Sequence, residues 1–180
     1  WHAWHDVSQY YVIQKKRDIN TLSNRPRPSD LLKSPILFFA FGMGSGLAPK
    51  APGTAGTLVA LLIWFFLADL PLEIYVVIVA IAAIFGIYLC GRAAKDLGIH
   101  DHPGIVWDEF VGFWIAMIGL PVTWSSIIAG FFLFRIFDIL KPWPIGWIDK
   151  NFHGGLGIML DDVVAGLATA IVISAVKAFV

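Results

Sequence analysis

The sequence has one cysteine, Cys90, so no disulfide can form within the chain. Cys90 also lies in an apolar run, and a CxxxxxR phosphatase loop would need arginine at position 96, where Asp96 stands. That argues against a cysteine phosphatase. Charge is scarce: only 14% of residues are Asp, Glu, Lys or Arg, and the signs balance to a net charge of zero. With no basic excess, bulk attraction to nucleic acid is not indicated. Residues 1–35 do not read as a secretory leader, because they are polar, with Lys15, Lys16, Arg17, Arg25, Arg27 and Lys33, and contain no apolar core before Ile36. The aromatic start, with Trp1 and Trp4, suits an interfacial anchor, while His2 and His5 stand far from other candidate ligands.

Apolar residues are plentiful instead. The 180-residue chain is 58% hydrophobic, well beyond the usual half for a soluble domain. Its pattern predicts one all-α domain over 36–180, a polytopic membrane helix bundle behind a polar amino-terminal arm, 1–35. Ile36 to Phe41 is too short to cross about 30 Å of hydrocarbon and reads as an interfacial or re-entrant piece. About five apolar helices follow, drawn at Thr57–Ala68, Leu72–Ala94, Ile105–Leu120, Thr123–Leu140 and Ile158–Ala178. Pro71 and Pro121 mark short turns, and Pro142 and Pro144 stop the fourth helix, since proline lacks the amide a helix needs.

Helices joined by short turns alternate in direction. On that basis Lys95 and Asp96 end the second helix on the side where Asp108 and Glu109 open the third. Arg135, Asp138 and Lys141 close the fourth helix there, and Asp161 and Asp162 open the fifth. Charges in or beside spanning segments usually face the bundle interior or an aqueous cavity. The clustering therefore predicts one polar site at one face. Among 13 Lys and Arg residues, only Lys177 falls near the opposite face if the arm stays with the site. The positive-inside rule then puts the site at the cytoplasmic face.

Asp108, Glu109, Asp138, Asp161 and Asp162 cannot converge without compensation, because like charges repel and burial penalises each charge. A hard divalent ion such as Mg²⁺ is the natural remedy, with Asp108, Glu109, Asp161 and Asp162 as its expected ligands. The bland alternative is that the acids are bundle glue, paired with Arg135, Lys95 and Lys141. Arg135, Asp138 and Lys141 are spaced to share one helix face, which suits a metal-bound phosphate or, more plainly, a salt-bridge ladder. Two glycine-rich stretches, Gly42–Gly56 and His153–Gly157, lead into helix starts at the same face, where free amides favour phosphate. Neither contains GK[ST]. Gly112 and Gly166 each lie four residues after an acid and leave room there for a neighbouring helix or a ligand. In the loop His100-Asp101-His102, Asp101 reads as a carboxylate at the site edge and the histidines as supporting or ordinary loop residues. Substrate contacts are expected from Arg135, Lys141, Lys95, Thr54 and Asp101.

Three blocks, HDHPGIVWDEFVGFW, FRIFDILKPWPIGWIDK and HGGLGIMLDD, together with the loop GSGLAPKAPGTAGT, resemble the phosphatidylglycerophosphatase A family. The resemblance runs from about Ile36 to the end of the last helix. It implies a Mg²⁺-dependent phosphatase of the bacterial inner membrane that converts phosphatidylglycerophosphate to phosphatidylglycerol and phosphate. The acids of the family's blocks are all kept. The residues themselves favour attack by a water activated at the metal over a phospho-aspartate, because the acids come as adjacent pairs suited to metal binding. The expected partners are a phospholipid substrate and the bilayer, with no nucleic acid. Motifs of other membrane phosphatases and transferases, such as DxDx[TV] and a PSGH-type histidine, are missing. The competing reading is a small cation or phosphate transporter using the same acids. Oligomeric state is not legible.

Overall fold

A computed structural model describes residues 26–99 and 101–179, so His2, His5, His100, Val180 and most of the amino-terminal arm lie outside the described residues. Every regular element among the described residues is helical. Two short helices come first, α1 (Pro28–Lys33) and α2 (Pro35–Ala40). Each has proline in its first turn, where a missing amide costs nothing. The Ser34 hydroxyl accepts the Leu37 amide at 3.3 Å and starts α2. A 3₁₀ segment, Gly42–Leu47, then leads to α3 (Pro52–Leu67) and α4 (Leu72–Leu97). They are followed by α5 (Trp107–Ala116), α6 (Trp124–Leu140), α7 (Ile145–Asn151) and α8 (Gly154–Phe179).

Only α4 and α8, among the described residues, are long and apolar enough to cross a membrane. Of the about five apolar helices expected, these two are the ones with the length of a span. α3 is a shorter apolar helix. The expected third helix, Ile105–Leu120, contracts to ten residues, and Phe110 to Ala116 are all buried. Its apolar character on every side reflects its place at the centre of the bundle. It packs against α8 most extensively and also against α3, α4 and α6. Indole and phenol groups secure the contacts with α3 and α4 through three hydrogen bonds. Trp114 Nε1 donates to the Ala60 carbonyl at 3.0 Å, Trp107 Nε1 to the Ala82 carbonyl at 3.2 Å, and the Tyr75 hydroxyl to the Trp114 carbonyl at 2.6 Å.

Gly112 of α5 and Gly166 of α8 meet each other. A Cβ at Gly112 would stand 2.7 Å from the Asp162 carbonyl, and one at Gly166 would run into the Gly112 carbonyl. The room those glycines leave is therefore filled by a neighbouring helix. The close crossing holds the acidic turns of α5 and α8 side by side. On the outside, α4 exposes Ile74, Val77, Ile81, Ile84 and Tyr88 at three- and four-residue intervals. α6 does the same with Ile128, Phe132, Ile136 and Ile139. Aliphatic stripes of this extent on a folded surface mark contact with lipid or another protein.

Candidate active site

At one end of the bundle is a cavity of about 640 Å³. Seven carboxylates line it: Asp101, Asp108, Glu109, Asp138, Asp149, Asp161 and Asp162. The cations Arg135, Lys141 and Lys150 line it as well. α5 contributes Asp108 and Glu109 from its first turn, and α8 contributes Asp161 and Asp162 about two turns from its start. α6 ends with Arg135 and Asp138 facing the same space, and Lys141 caps that helix in a left-handed conformation, φ 43°. α7 supplies Asp149 and Lys150. Ala51, Pro52 and Gly53 bring the start of α3 to the opposite wall. Gly53 has to be small, because a Cβ there would collide with Glu109 Oε1 and stand 3.1 Å from the Arg135 guanidinium.

Asp108, Glu109 and Asp162 each offer a carboxylate oxygen within 4.8 Å of the others. The fourth expected ligand, Asp161, is turned elsewhere: its Oδ2 accepts from Lys141 Nζ at 2.7 Å. Lys141 Nζ also donates to Asp149 Oδ1 at 2.6 Å. Burial opposes the charge on Lys141, but the hydrogen bonds to Asp149 and Asp161 outweigh it and hold the ammonium above the usual lysine range. Lys141 therefore stays cationic at neutral pH and bridges α6, α7 and α8. Arg135 Nη1 lies 2.5 Å from Asp138 Oδ2 and 3.8 Å from Glu109 Oε1.

Asp108 Oδ1, Glu109 Oε2 and Asp161 Oδ1 are buried without a hydrogen-bond donor. Buried acceptors of this kind carry a desolvation cost that a partner must offset. The oxygen-only donor set of Asp108, Glu109 and Asp162 fits a hard divalent cation such as Mg²⁺.

Most of the expected site residues come together here, and two do not. Thr54 does not line the cavity, because α3 starts earlier than expected, at Pro52, and turns Gly53 toward the acids. Lys95 lines a separate cavity with Arg92, Tyr88 and Gly155, on the α4 side of α8. It ends a helix at the expected face but points away from the acids. Asp101 lines the acidic cavity, as expected of a carboxylate at its edge. His102 is a loop support: it is buried, its Nδ1 accepts the Gly104 amide at 3.0 Å, and its ring packs on Phe41. Sequence reasoning missed Asp149 and Lys150. Their only signal was membership of the WIDK block, and it takes α7, a short helix between the fourth and fifth expected helices, to turn them toward the acids.

The profile of the phosphatidylglycerophosphatase A family matches residues 38–177, which include every element from α3 to α7 and nearly all of α8. The chain belongs to this family. A phosphatidylglycerophosphatase A of Escherichia coli (strain K12) is 49% identical over 152 residues, covering 81% of this chain and 88% of the relative. A phosphatidylglycerophosphatase A of Haemophilus influenzae is 43% identical over 156 residues, 86% of this chain and 96% of the relative. A third relative, from Bacteroides thetaiotaomicron, is 38% identical over 159 residues, 84% of this chain and 96% of its own. It is named only provisionally, as a phosphatidylinositol-3-phosphatase. No solved structure matches the chain.

Proposed function

We propose that the chain is a phosphoric monoester hydrolase that converts phosphatidylglycerophosphate to phosphatidylglycerol and inorganic phosphate at the carboxylate cavity. Family membership supports the reaction. The observation that carries the site is the convergence of Asp108, Glu109 and Asp162 oxygens, with donorless buried acceptors among them, beside Arg135 and Lys141. Water adds to phosphorus, the ester P–O bond breaks, and the departing glycerol oxygen takes a proton.

Asp108, Glu109 and Asp162 would hold Mg²⁺, which when bound neutralises charge on the phosphoryl group and polarises its oxygens. Arg135, close to Glu109 and Asp138, aims positive charge at the same space, and phosphoryl transfer depends mainly on such positioning and charge. Asp138 sits at the edge of the trio and is suited to orient the attacking water and accept its proton. Lys141 fixes Asp161 and so keeps α6 and α8 in register across the cavity.

The substrates named for the relatives have one chemical feature in common. Each carries a phosphomonoester a few atoms from a phosphodiester, with acyl chains beyond. A lipid of that kind presents its headgroup at a membrane interface. Membrane association is supported by the two long apolar helices and the exposed aliphatic stripes. We place the protein in the bacterial inner membrane with the cavity at the cytoplasmic face, on the distribution of Lys and Arg. A cysteine introduced at the exposed Asn151 should resist labelling from outside intact cells, while one placed after Phe179 should react; the reverse pattern would move the site to the other face. A transporter is not favoured, because the acids gather at one end of the bundle and trace no path across it. The direct test of the reaction is phosphate release by the purified protein in detergent. Chelation should abolish release from phosphatidylglycerophosphate, and added Mg²⁺ should restore it. Undiminished release in excess chelator would remove the divalent ion from the account.

A further inference from the structure

We infer that Lys150 forms a second anion subsite in the same cavity, and that it binds the phosphodiester linking the headgroup to the lipid. The inference rests on the lipid phosphatase reading above and adds the part of the substrate that is not cleaved.

Carboxylates outnumber cations around this cavity, so an anionic headgroup meets repulsion except where a positive charge is free to receive it. Arg135 is partly buried and paired with Asp138 and Glu109, with its Nε left without an acceptor. Lys141 is committed to Asp149 and Asp161. Lys150 is exposed, lines the cavity, and pairs with no carboxylate among the described residues. Its neighbour in sequence, Asp149, is already held by Lys141 and does not neutralise it. Of the three Lys and Arg side chains at the cavity, Lys150 is thus the one that pairs with no carboxylate among the described residues.

Its location suits the diester specifically. The monoester has to lie at the Asp108, Glu109 and Asp162 trio, where a bound divalent ion would offset the acids. The diester lies a glycerol unit away, toward the acyl chains. Lys150 is in the last turn of α7, a short helix that also exposes Trp147, and Phe152 follows it at the cavity wall with Ile139 of α6. Exposed tryptophan and phenylalanine beside a lysine are typical of the membrane–water boundary, where a long basic side chain places its ammonium at headgroup depth. The lining thus combines acids, Lys150 and apolar and aromatic residues, the chemistry that a monoester, a diester and an acyl chain would each require. The cavity volume, about 640 Å³, is within the usual range for a small-molecule site.

The test uses the full-length protein in detergent with short-chain phosphatidylglycerophosphate, comparing wild type, Lys150→Gln and Lys150→Arg. Loss of one charge-assisted contact made equally in ground and transition states should raise KM about tenfold and leave kcat within about twofold. Lys150→Arg should restore most of the loss. The inhibition constant of the product inorganic phosphate should not change in Lys150→Gln, because free phosphate occupies only the monoester subsite. An unchanged KM would overturn the inference, and so would a rise in the phosphate inhibition constant in step with KM, which would make Lys150 a general attractor. Absence of phosphate release from wild type would instead remove the lipid phosphatase reading itself.

Discussion

Among individual residues, the acids were legible because charge is rare in this chain. Adjacent carboxylates such as Asp108–Glu109 and Asp161–Asp162 have few explanations inside apolar segments. Their division of labour was not legible. Asp162 joins Asp108 and Glu109, while Asp161, one residue away on the same helix, turns to Lys141. Neighbouring residues on a helix point about 100° apart, so a one-residue step separates a ligand from an ion-pair partner. Lys95 went astray for the same reason, since sharing a face of the membrane does not make a residue share a cavity. The residue-level account has a stereochemical consequence. If the acids near phosphorus are occupied as ligands or ion-pair partners, water attacks in one displacement. Hydrolysis of a chiral, isotopically labelled phosphate ester should then invert configuration at phosphorus. Retention, or a phospho-aspartate trapped in denatured protein, would nominate a carboxylate as nucleophile.

Among the elements, the five expected helices all exist near their drawn places, and the starts of two moved where proline and glycine were misread. Pro52 opens α3 as a first-turn residue, so that helix begins before Thr57. Gly154 to Gly157 form the first turn of α8, so that helix begins before Ile158. The third expected helix, α5, shows the limit of hydropathy: an apolar run reports burial and does not say whether lipid or protein provides it. Ten residues enclosed by four other helices read like part of a span. What distinguishes α5 in retrospect is Gly112, which meets Gly166 and lets the two acidic helices touch through their backbones. Gly166→Leu should therefore wedge α5 from α8 and lower the thermal midpoint by roughly 5–10 °C, with loss of activity. Ile81→Ala, on the exposed stripe of α4, should change the midpoint by only about 1–2 °C in the same scan, since a surface truncation leaves no cavity. A Gly166→Leu protein as stable as wild type would show that the close crossing is dispensable.

For the whole molecule, the prediction that all charged clusters share one end came from alternating helix directions, and the structure does gather the acids in one cavity. The reason the inference does not depend on the number of spans is geometric. α5 is short and buried, but its start still lies where the end of α4 delivers the chain, and α6 still returns to that end. Direction depends on the turns and not on whether each helix crosses the bilayer. The resulting molecule has an aliphatic exterior, a glycine-locked centre and an acidic cavity at one end, an arrangement suited to a lipid headgroup. The central claim is that this cavity performs the hydrolysis. The most direct measurement is phosphate release from phosphatidylglycerophosphate by purified wild type and Asp162→Asn, each first shown to be folded by its thermal transition. The substitution keeps the shape and removes one charge from the Asp108, Glu109 and Asp162 trio. The account predicts release by wild type and a loss of at least about a hundredfold in kcat for Asp162→Asn, the scale expected when a charged group at the reacting centre is removed. Full turnover by a folded Asp162→Asn protein would contradict it, and would reduce the acidic cluster to a device that holds the helices together.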